Sequence, residues 1–289
     1  MKLPHLLDVP NPFIAAHGWL RLMEPVDTPI QKLQTLLLDG TYRRPFILED
    51  GQLRKLLFEF THVQSVMTID APDTLTLRYT QMMMGFLLFQ PNPANVLLLG
   101  LGGGSLAKYC YWHLPLANIT VIEIDSDVMA LRGHFMVPKD NARFRVIHGD
   151  GAQHVGAQEE PVDVLLVDAF DGKGMAKSVA DRDFLQTAYN CLAVDGVLGM
   201  NLASDKARYK TLVADAQSVF DHQVHVILVS DDRNHILFAL KNPQFVPNWR
   251  SMKLRAKELK KQYQLDFPAM VQKMERALCA GKESKVDSL

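Results

Sequence analysis

Apolar runs of a length suited to buried strands recur through the middle of the chain, and segments that can form helices separate them. Five such runs are NVLLLG (95–100), ITVIEID (119–125), FRVIHGD (144–150), VDVLLVD (162–168) and GVLGMNLA (196–203). Strands buried on both faces lack polar alternation and belong to parallel sheets covered by helices. Two further runs, QVHVILV (223–229) and NHILFALK (234–241), are joined by a short polar loop. The pattern predicts five parallel strands followed by an antiparallel hairpin.

The first 90 residues show a different pattern. Between Ile47 and Tyr79, turn-forming residues separate the short β-prone runs KLLFEF (55–60), VQSVMTID (63–70) and TLTLRY (74–79), which predict an antiparallel meander. The apolar run TQMMMGFLLF (80–89) predicts a helix that ends before Pro91. Charged residues after Pro247 predict one or two amphipathic helices. We therefore expect an N-terminal β region at 1–90, an α/β domain at 91–245 and a helical tail at 246–289.

Composition narrows the class of protein. Of the 289 residues, 48% are hydrophobic and 22% charged, as in ordinary folded proteins, and the net charge of -1 gives no field that would attract nucleic acid. Prolines and an aspartate interrupt the N-terminus where a signal peptide needs an apolar run, and no apolar run is long enough for a membrane span. The three scattered cysteines lack metal-site or disulfide spacing. We expect a cytoplasmic protein with a small-molecule ligand, and no metal, membrane or nucleic-acid partner.

The first predicted parallel strand runs into a glycine-rich turn. Gly100, Gly102 and Gly104 let the backbone turn sharply and approach a ligand closely. Glu123 ends the second strand, where a carboxylate can accept hydrogen bonds from both hydroxyls of a ribose. A dinucleotide site usually has a third glycine where this chain has Ser105, so a nucleoside is favoured. A tight turn without a ligand remains the alternative for the glycines.

Carboxylates also end the third and fourth predicted strands. Asp150, with Gly151 after it, is placed to accept the exocyclic amine of adenine, whereas Asp168 and Asp171 lie at the sheet edge where α/β proteins bind ligands. Two carboxylates favour a cationic substrate, and a carboxylate beside an amine can take its proton. Asp168 is therefore the candidate base for attack by an amine on a carbon next to a sulfonium. A turn role for Asp150 and a helix-capping role for Asp168 stay open.

From about Val63 to Lys241 the sequence resembles the spermidine synthase, or polyamine aminopropyltransferase, family. The resemblance rests on VQ (63–64), Tyr79 with TQM after it, PNPANVLLLGLGGGS (91–105), VIEID (121–125), GDG (149–151) and VDAFD (167–171). It implies a Rossmann-like sheet of the S-adenosylmethionine-dependent methyltransferase type with a small N-terminal β domain. It also implies transfer of an aminopropyl group from decarboxylated S-adenosylmethionine to an amine, by a protein that can pair into a homodimer.

The resemblance also implies roles for individual residues. It makes Asp168 the proton acceptor and places Tyr79 and Asp171 beside the amine substrate. The contacts that it implies to the adenosyl part of the donor are Gln64, Glu123, Asp150 and Gly151.

Four features depart from the family pattern, all on the amine side. Gly103 stands where the family has an aspartate that holds the aminopropyl group, and Gly172 stands in place of a proline. Arg182 aligns with a glutamate, and the loop 230–234 is short. Without a carboxylate at position 103, discrimination against intact S-adenosylmethionine is lost. A methyltransferase that uses the intact donor and a non-catalytic nucleoside-binding protein are therefore alternatives.

Overall fold

The computed structural model describes residues 5–13, 17–60, 62–171, 174–202, 206–229 and 234–286. The N-terminal part is an antiparallel meander in which each strand pairs with the next along the chain. Its strands are β1 Leu7–Pro10, β2 Trp19–Leu22, β3 Phe46–Asp50, β4 Leu53–Glu59 and β5 His62–Thr68. Helix α1 (Ile30–Leu38) follows β2 and buries Leu33 and Leu37 in the core of this sheet.

The prediction of a strand over 74–79 is wrong. Residues 74–77 lie in no strand. Helix α2 (Arg78–Met83) begins directly after them and continues as a 3₁₀ helix (Met84–Leu88). The Gln81 side chain donates to the carbonyl of Leu75, and the Thr80 hydroxyl donates to that of Leu77, both at 2.7 Å. These side chains satisfy carbonyls that a strand would have paired in a ladder. The predicted helix is confirmed, although it begins two residues before Thr80.

Within the described residues nine strands follow, and seven of them form one sheet in the order β13-β14-β12-β9-β6-β7-β8. The strands are β6 Asn95–Leu99, β7 Asn118–Glu123, β8 Phe144–His148, β9 Val162–Val167, β10 Phe170–Asp171, β11 Gly174–Met175, β12 Leu192–Asn201, β13 Val224–Leu228 and β14 His235–Leu240. Strands β10 and β11 pair with each other in a separate two-stranded sheet. Strand β14 is antiparallel to β12 and β13, and the other pairs are parallel. The predicted parallel sheet with a terminal antiparallel hairpin is confirmed.

Helices cover both faces of the large sheet. They are α3 Ser105–His113, α4 Ser126–Leu131, α5 Gly151–Gly156, a 3₁₀ turn Lys177–Val179, α6 Arg182–Cys191, α7 Lys206–Val219, α8 Trp249–Tyr263 and α9 Phe267–Val286. Alternate residues of β6 enter different cores: Val96 and Leu98 face one, Leu97 and Leu99 the other. The fully apolar strand is thus explained by burial on both sides.

The predicted C-terminal helices are present and form part of the main core. Helix α8 buries Met252 and α9 buries Phe267 and Val271 in the cluster that contains Val96 and Leu98. In the described part of the chain, none of the helices is both long and apolar enough to cross a membrane.

Candidate active site

A cavity of about 370 Å³ opens at the carboxyl edge of the large sheet, and the N-terminal sheet supplies part of its wall. Because β9, β6, β7 and β8 are neighbours in the sheet, residues that end different strands meet at this edge. The predicted site residues that line the cavity are Gln64, Tyr79, Gly100, Gly102, Glu123, Asp150, Gly151 and Asp168. The backbone of Asp171 pairs with Gly174 in the β10–β11 hairpin, and its side chain lies outside the described residues.

At two positions of the glycine turn, close packing leaves no room for a side chain. Gly100 has a φ of 94°, and a Cβ there would lie 2.3 Å from the carbonyl oxygen of Asp168. Gly104 has a φ of 70° and is the N-cap residue before α3, and a Cβ there would lie 2.4 Å from Cγ2 of Val137. Gly102 lines the cavity, whereas Gly104 does not. The structure thus gives Gly104 a role in shaping the turn.

Glu123 is buried, and backbone groups hold both of its oxygens. Oε2 accepts from the amide of Leu101 at 2.7 Å, and Oε1 accepts from the amide of Asp125 at 2.8 Å. These bonds fix the glycine turn to the end of β7. Each carboxylate oxygen has a further lone pair, so contacts to ribose hydroxyls remain possible in this arrangement.

Asp150 caps helix α5. Its Oδ1 accepts from the amide of Gln153 at 3.0 Å, and its Oδ2 has no hydrogen-bond partner among the described residues. The open alternative of a structural turn residue therefore has a basis in the structure, and one oxygen is still available to a ligand. Gly151 packs closely on β6, since a Cβ there would lie 3.1 Å from Cδ1 of Leu99.

Asp168 follows β9 and receives two side-chain hydrogen bonds. The Tyr79 hydroxyl donates to Oδ2 at 3.1 Å, and Nδ2 of Asn201 donates to Oδ1 at 2.9 Å. Loss of hydration raises the pKa of Asp168 above its ordinary value, and the hydrogen bonds from Asn201 and Tyr79 partly oppose that shift. Such a carboxylate is a stronger base than one in water. It is also held in one orientation.

Asn201 was not predicted as a site residue. It ends β12 with a side chain 3% exposed, and its Oδ1 has no hydrogen-bond partner among the described residues. A polar residue at the carboxyl end of an apolar strand was the available signal. Its role depends on contact with Asp168, which the sequence alone does not show.

A β-bulge places Gln64 in the cavity wall. Along the β4–β5 pair, Leu57 lies opposite Val63 and the next residue, Leu56, lies opposite Ser65, so Gln64 is the extra residue. In a regular strand, neighbouring side chains point to opposite faces. The bulge breaks that alternation, and both Gln64 and Ser65 line the cavity.

The sequence and structure of the chain were compared with those of known proteins. Residues 76–229 match the model of the spermine/spermidine synthase domain. A polyamine aminopropyltransferase from Chromobacterium violaceum is 31% identical over 80% of this chain and 88% of its own length. One from Neisseria meningitidis serogroup B is 33% identical over 78% of this chain and 86% of its own length. The chain belongs to the spermine/spermidine synthase family. Membership confirms the resemblance and the predicted enzyme class, a transferase.

Solved structures agree with the fold predicted for this member of the spermine/spermidine synthase family. Human methyltransferase-like protein 13 in complex with SAH has a TM-score of 0.59 and 22% identity, covering 65% of this chain and 91% of its own. A spermidine synthase in complex with the transition-state analogue AdoDATO has a TM-score of 0.51 and 20% identity, covering 77% and 89%. These likenesses confirm the predicted methyltransferase-type fold.

Position 103 differs from the pattern expected of a spermine/spermidine synthase and is closed by neighbouring side chains. Gly103 is buried, and a Cβ there would lie 2.7 Å from Oγ of Ser65 and 2.9 Å from Cδ1 of Phe135. Arg182 points to α7, where it donates to the Ser218 hydroxyl at 3.0 Å, and it does not line the cavity. Residues 172 and 230–233 lie outside the described residues.

Proposed function

We propose that this protein transfers an aminopropyl group from decarboxylated S-adenosylmethionine to an amine. The relatives named polyamine aminopropyltransferase support this reaction more than methyl transfer. The observation that carries the proposal is Asp168, an oriented carboxylate in the same cavity as Glu123 and the glycine turn.

The chemistry needs a base next to a bound sulfonium. The lone pair of the acceptor nitrogen attacks the carbon bonded to sulfur, and the carbon–sulfur bond breaks with its electrons passing to sulfur. The acceptor nitrogen loses a proton, which Asp168 takes. The sulfonium becomes a neutral thioether, 5′-methylthioadenosine.

The other predicted site residues have separate tasks in this proposal. Gln64, Gly100, Gly102, Glu123, Asp150 and Gly151 hold the donor, with Gly104 shaping the turn. Tyr79 and Asp171 lie beside the acceptor amine. A co-substrate of the S-adenosylmethionine type agrees with the fold relatives solved with SAH and AdoDATO.

We also propose that the protein acts in the cytoplasm as a homodimer, without a metal or a nucleic-acid partner. Exposed apolar side chains on the N-terminal sheet, Trp19 at 55% and Val63 at 45% exposure, support pairing through that sheet. Analytical ultracentrifugation of the wild type and of a Trp19→Glu variant tests this, and monomers for both would contradict it.

Methyl transfer from intact S-adenosylmethionine is the second candidate. The observation that favours it is Gly103, which leaves the glycine turn without the carboxylate that would repel the carboxylate of the intact donor. The mass of the product separates the two reactions, because an aminopropyl group and a methyl group differ in mass.

Substitution of Asp168 tests the proposed reaction. Asp168→Asn keeps the shape of the side chain but cannot take a proton, so we expect nucleoside affinity close to wild type and turnover reduced by at least about 100-fold. Asp195→Asn, an exposed position outside the cavity, is the control. Unchanged turnover in the Asp168 variant would refute the role.

A further inference from the structure

The cavity contains five carboxylate side chains and, among the residues that the structure describes, one cationic side chain, Arg43. Arg43 lies between α1 and β3. Its guanidinium makes no hydrogen bond or ion pair with any described residue. Arg43 is an exposed residue of the cavity wall. With no partner among the described residues, its guanidinium is available to a ligand.

The neighbours of Arg43 fix the backbone that carries it. Tyr42 is buried and its hydroxyl donates to Glu24 at 3.0 Å. Arg44 holds Asp127 on α4 with two hydrogen bonds, from Nε at 2.8 Å and from Nη2 at 3.0 Å. Because the residues on both sides are anchored, Arg43 is presented at the cavity wall by a fixed segment.

Three of the five cavity carboxylates accept hydrogen bonds from backbone amides. Glu123 accepts from two amides, Asp125 accepts from the amides of Asp127 and Val128 at the start of α4, and Asp150 caps α5. The other two carboxylates, those of Glu59 and Asp168, form no ion pair with Arg43. Arg43 therefore forms no direct ion pair with any of the five cavity carboxylates.

This inference rests on the reaction of the proposed function, attack by an amine on the carbon next to a sulfonium. It changes one substrate of that reaction, either the acceptor or the donor. The charged groups of a diamine and of decarboxylated S-adenosylmethionine are all cationic, and Arg43 would repel them. We infer that Arg43 binds a carboxylate carried by one of the two substrates, since a guanidinium matches a carboxylate with two parallel hydrogen bonds. The carboxylate belongs either to an amino acid acceptor or to intact S-adenosylmethionine.

Both sources leave the balance of the reaction unchanged. The bond from nitrogen to the carbon next to sulfur forms, the carbon–sulfur bond breaks toward sulfur, and the proton passes from nitrogen to Asp168. With an amino acid acceptor, the carboxylate stays on the acceptor. With the intact donor, the transferred chain keeps its carboxylate, and the closed pocket at Gly103 presents no opposing negative charge.

The test compares substrate pairs that differ in the carboxylate. Calorimetry measures the binding of intact and decarboxylated S-adenosylmethionine, and mass spectrometry measures turnover with butane-1,4-diamine and with 4-aminobutyrate. The proteins are wild type, Arg43→Gln and Arg145→Gln, since Arg145 is an exposed residue of β8 outside the cavity. Binding of 5′-methylthioadenosine, which has neither a carboxylate nor an amino chain, reports separately on the nucleoside site.

We expect wild type and Arg145→Gln to prefer the compound with the carboxylate in one of the two pairs, either intact S-adenosylmethionine or 4-aminobutyrate. Arg43→Gln should lose about 10- to 100-fold in affinity or turnover for that compound only. The pair that responds identifies the donor or the acceptor as the source. Preference for the members without a carboxylate, or a preference that survives Arg43→Gln, would overturn the inference while normal 5′-methylthioadenosine binding upheld the nucleoside site. Absence of 5′-methylthioadenosine binding by wild type would overturn the proposed function, and the inference with it.

Discussion

The hydrogen bond from Asn201 to Asp168 should influence how kcat/KM for the acceptor depends on pH. Asn201→Leu removes the donor to Oδ1 of Asp168 and keeps a side chain of similar size. Because Oδ1 of Asn201 has no partner among the described residues, the substitution breaks no second hydrogen bond there. The folded protein should therefore tolerate it.

The structure sets the size of the expected effect. A hydrogen bond to a charged group contributes about 1.5–3 kcal/mol, and one pKa unit corresponds to about 1.4 kcal/mol. Loss of the bond should raise the pKa of Asp168 further, because burial then acts with less opposition. The base must be ionised to take a proton, so activity should be lost at a higher pH in the variant.

The assay is kcat/KM for the acceptor across the acid limb of the pH profile. Asn201→Leu should move the midpoint of that limb upward, lower kcat/KM on the limb by about 10- to 100-fold and approach wild-type activity at alkaline pH. Asn190→Leu, an exposed change on α6, should leave the profile in place. A profile that superposes on wild type would refute the reasoning, and an equal loss at every pH would mean that Asn201 sets only the position of Asp168.

Three other features make predictions. Gly103→Ala should destabilise the fold by about 1–3 kcal/mol in urea titration, because its Cβ would meet Ser65, and Ser65→Gly should restore part of the loss; an unchanged midpoint would contradict the packing. His225 is buried with both ring nitrogens unpartnered in the described structure, and burial lowers its pKa from 6.5 to about 4. Below pH 6.5 His225 gains a proton in the unfolded chain, whereas in the folded protein it gains that proton only near pH 4. The free energy of unfolding should therefore fall by up to about 3 kcal/mol between pH 6.5 and pH 4. His225→Phe should remove this part of the acid sensitivity, and identical pH dependence in both proteins would exclude it. Arg44→Gln should cost about 1 kcal/mol, and no further loss should follow when Asp127→Asn is added; additive losses would show that the two side chains act independently.

The site residues that could be predicted from the sequence are those at the ends of predicted strands. Glu123, Asp150 and Asp168 each follow an apolar run, and parallel strands bring their carboxyl ends to one edge, so the sequence places these carboxylates together. Their hydrogen bonds were not predictable in the same way. Glu123 is held by the amide of Leu101 on a different strand end, and such a contact depends on how the turn folds.

Local patterns failed where tertiary contacts decide the backbone. The alternation in TLTLRY favours a strand, but the side chains of Thr80 and Gln81 satisfy the carbonyls before α2, and the segment joins a helix instead. Strands β1 and β2 were missed because runs of four residues, one ending at Pro10, carry little periodicity. The absence of a carboxylate at Gly103 could be read from the sequence, whereas the close packing of Ser65 and Phe135 against that position could not.

The β-bulge at Gln64 makes this wall of the cavity sensitive to the number of residues in β5. Deletion of one residue at the bulge would remove the register shift between Leu56 and Leu57 but leave the second shift, between Leu57 and Glu59, in place. Only one of the two positions now facing the cavity could continue to do so. An insertion would shift the following residues, among them the buried Val66 and Met67. Variation in this family is therefore expected to exchange side chains at the bulge more readily than to change the length of the strand.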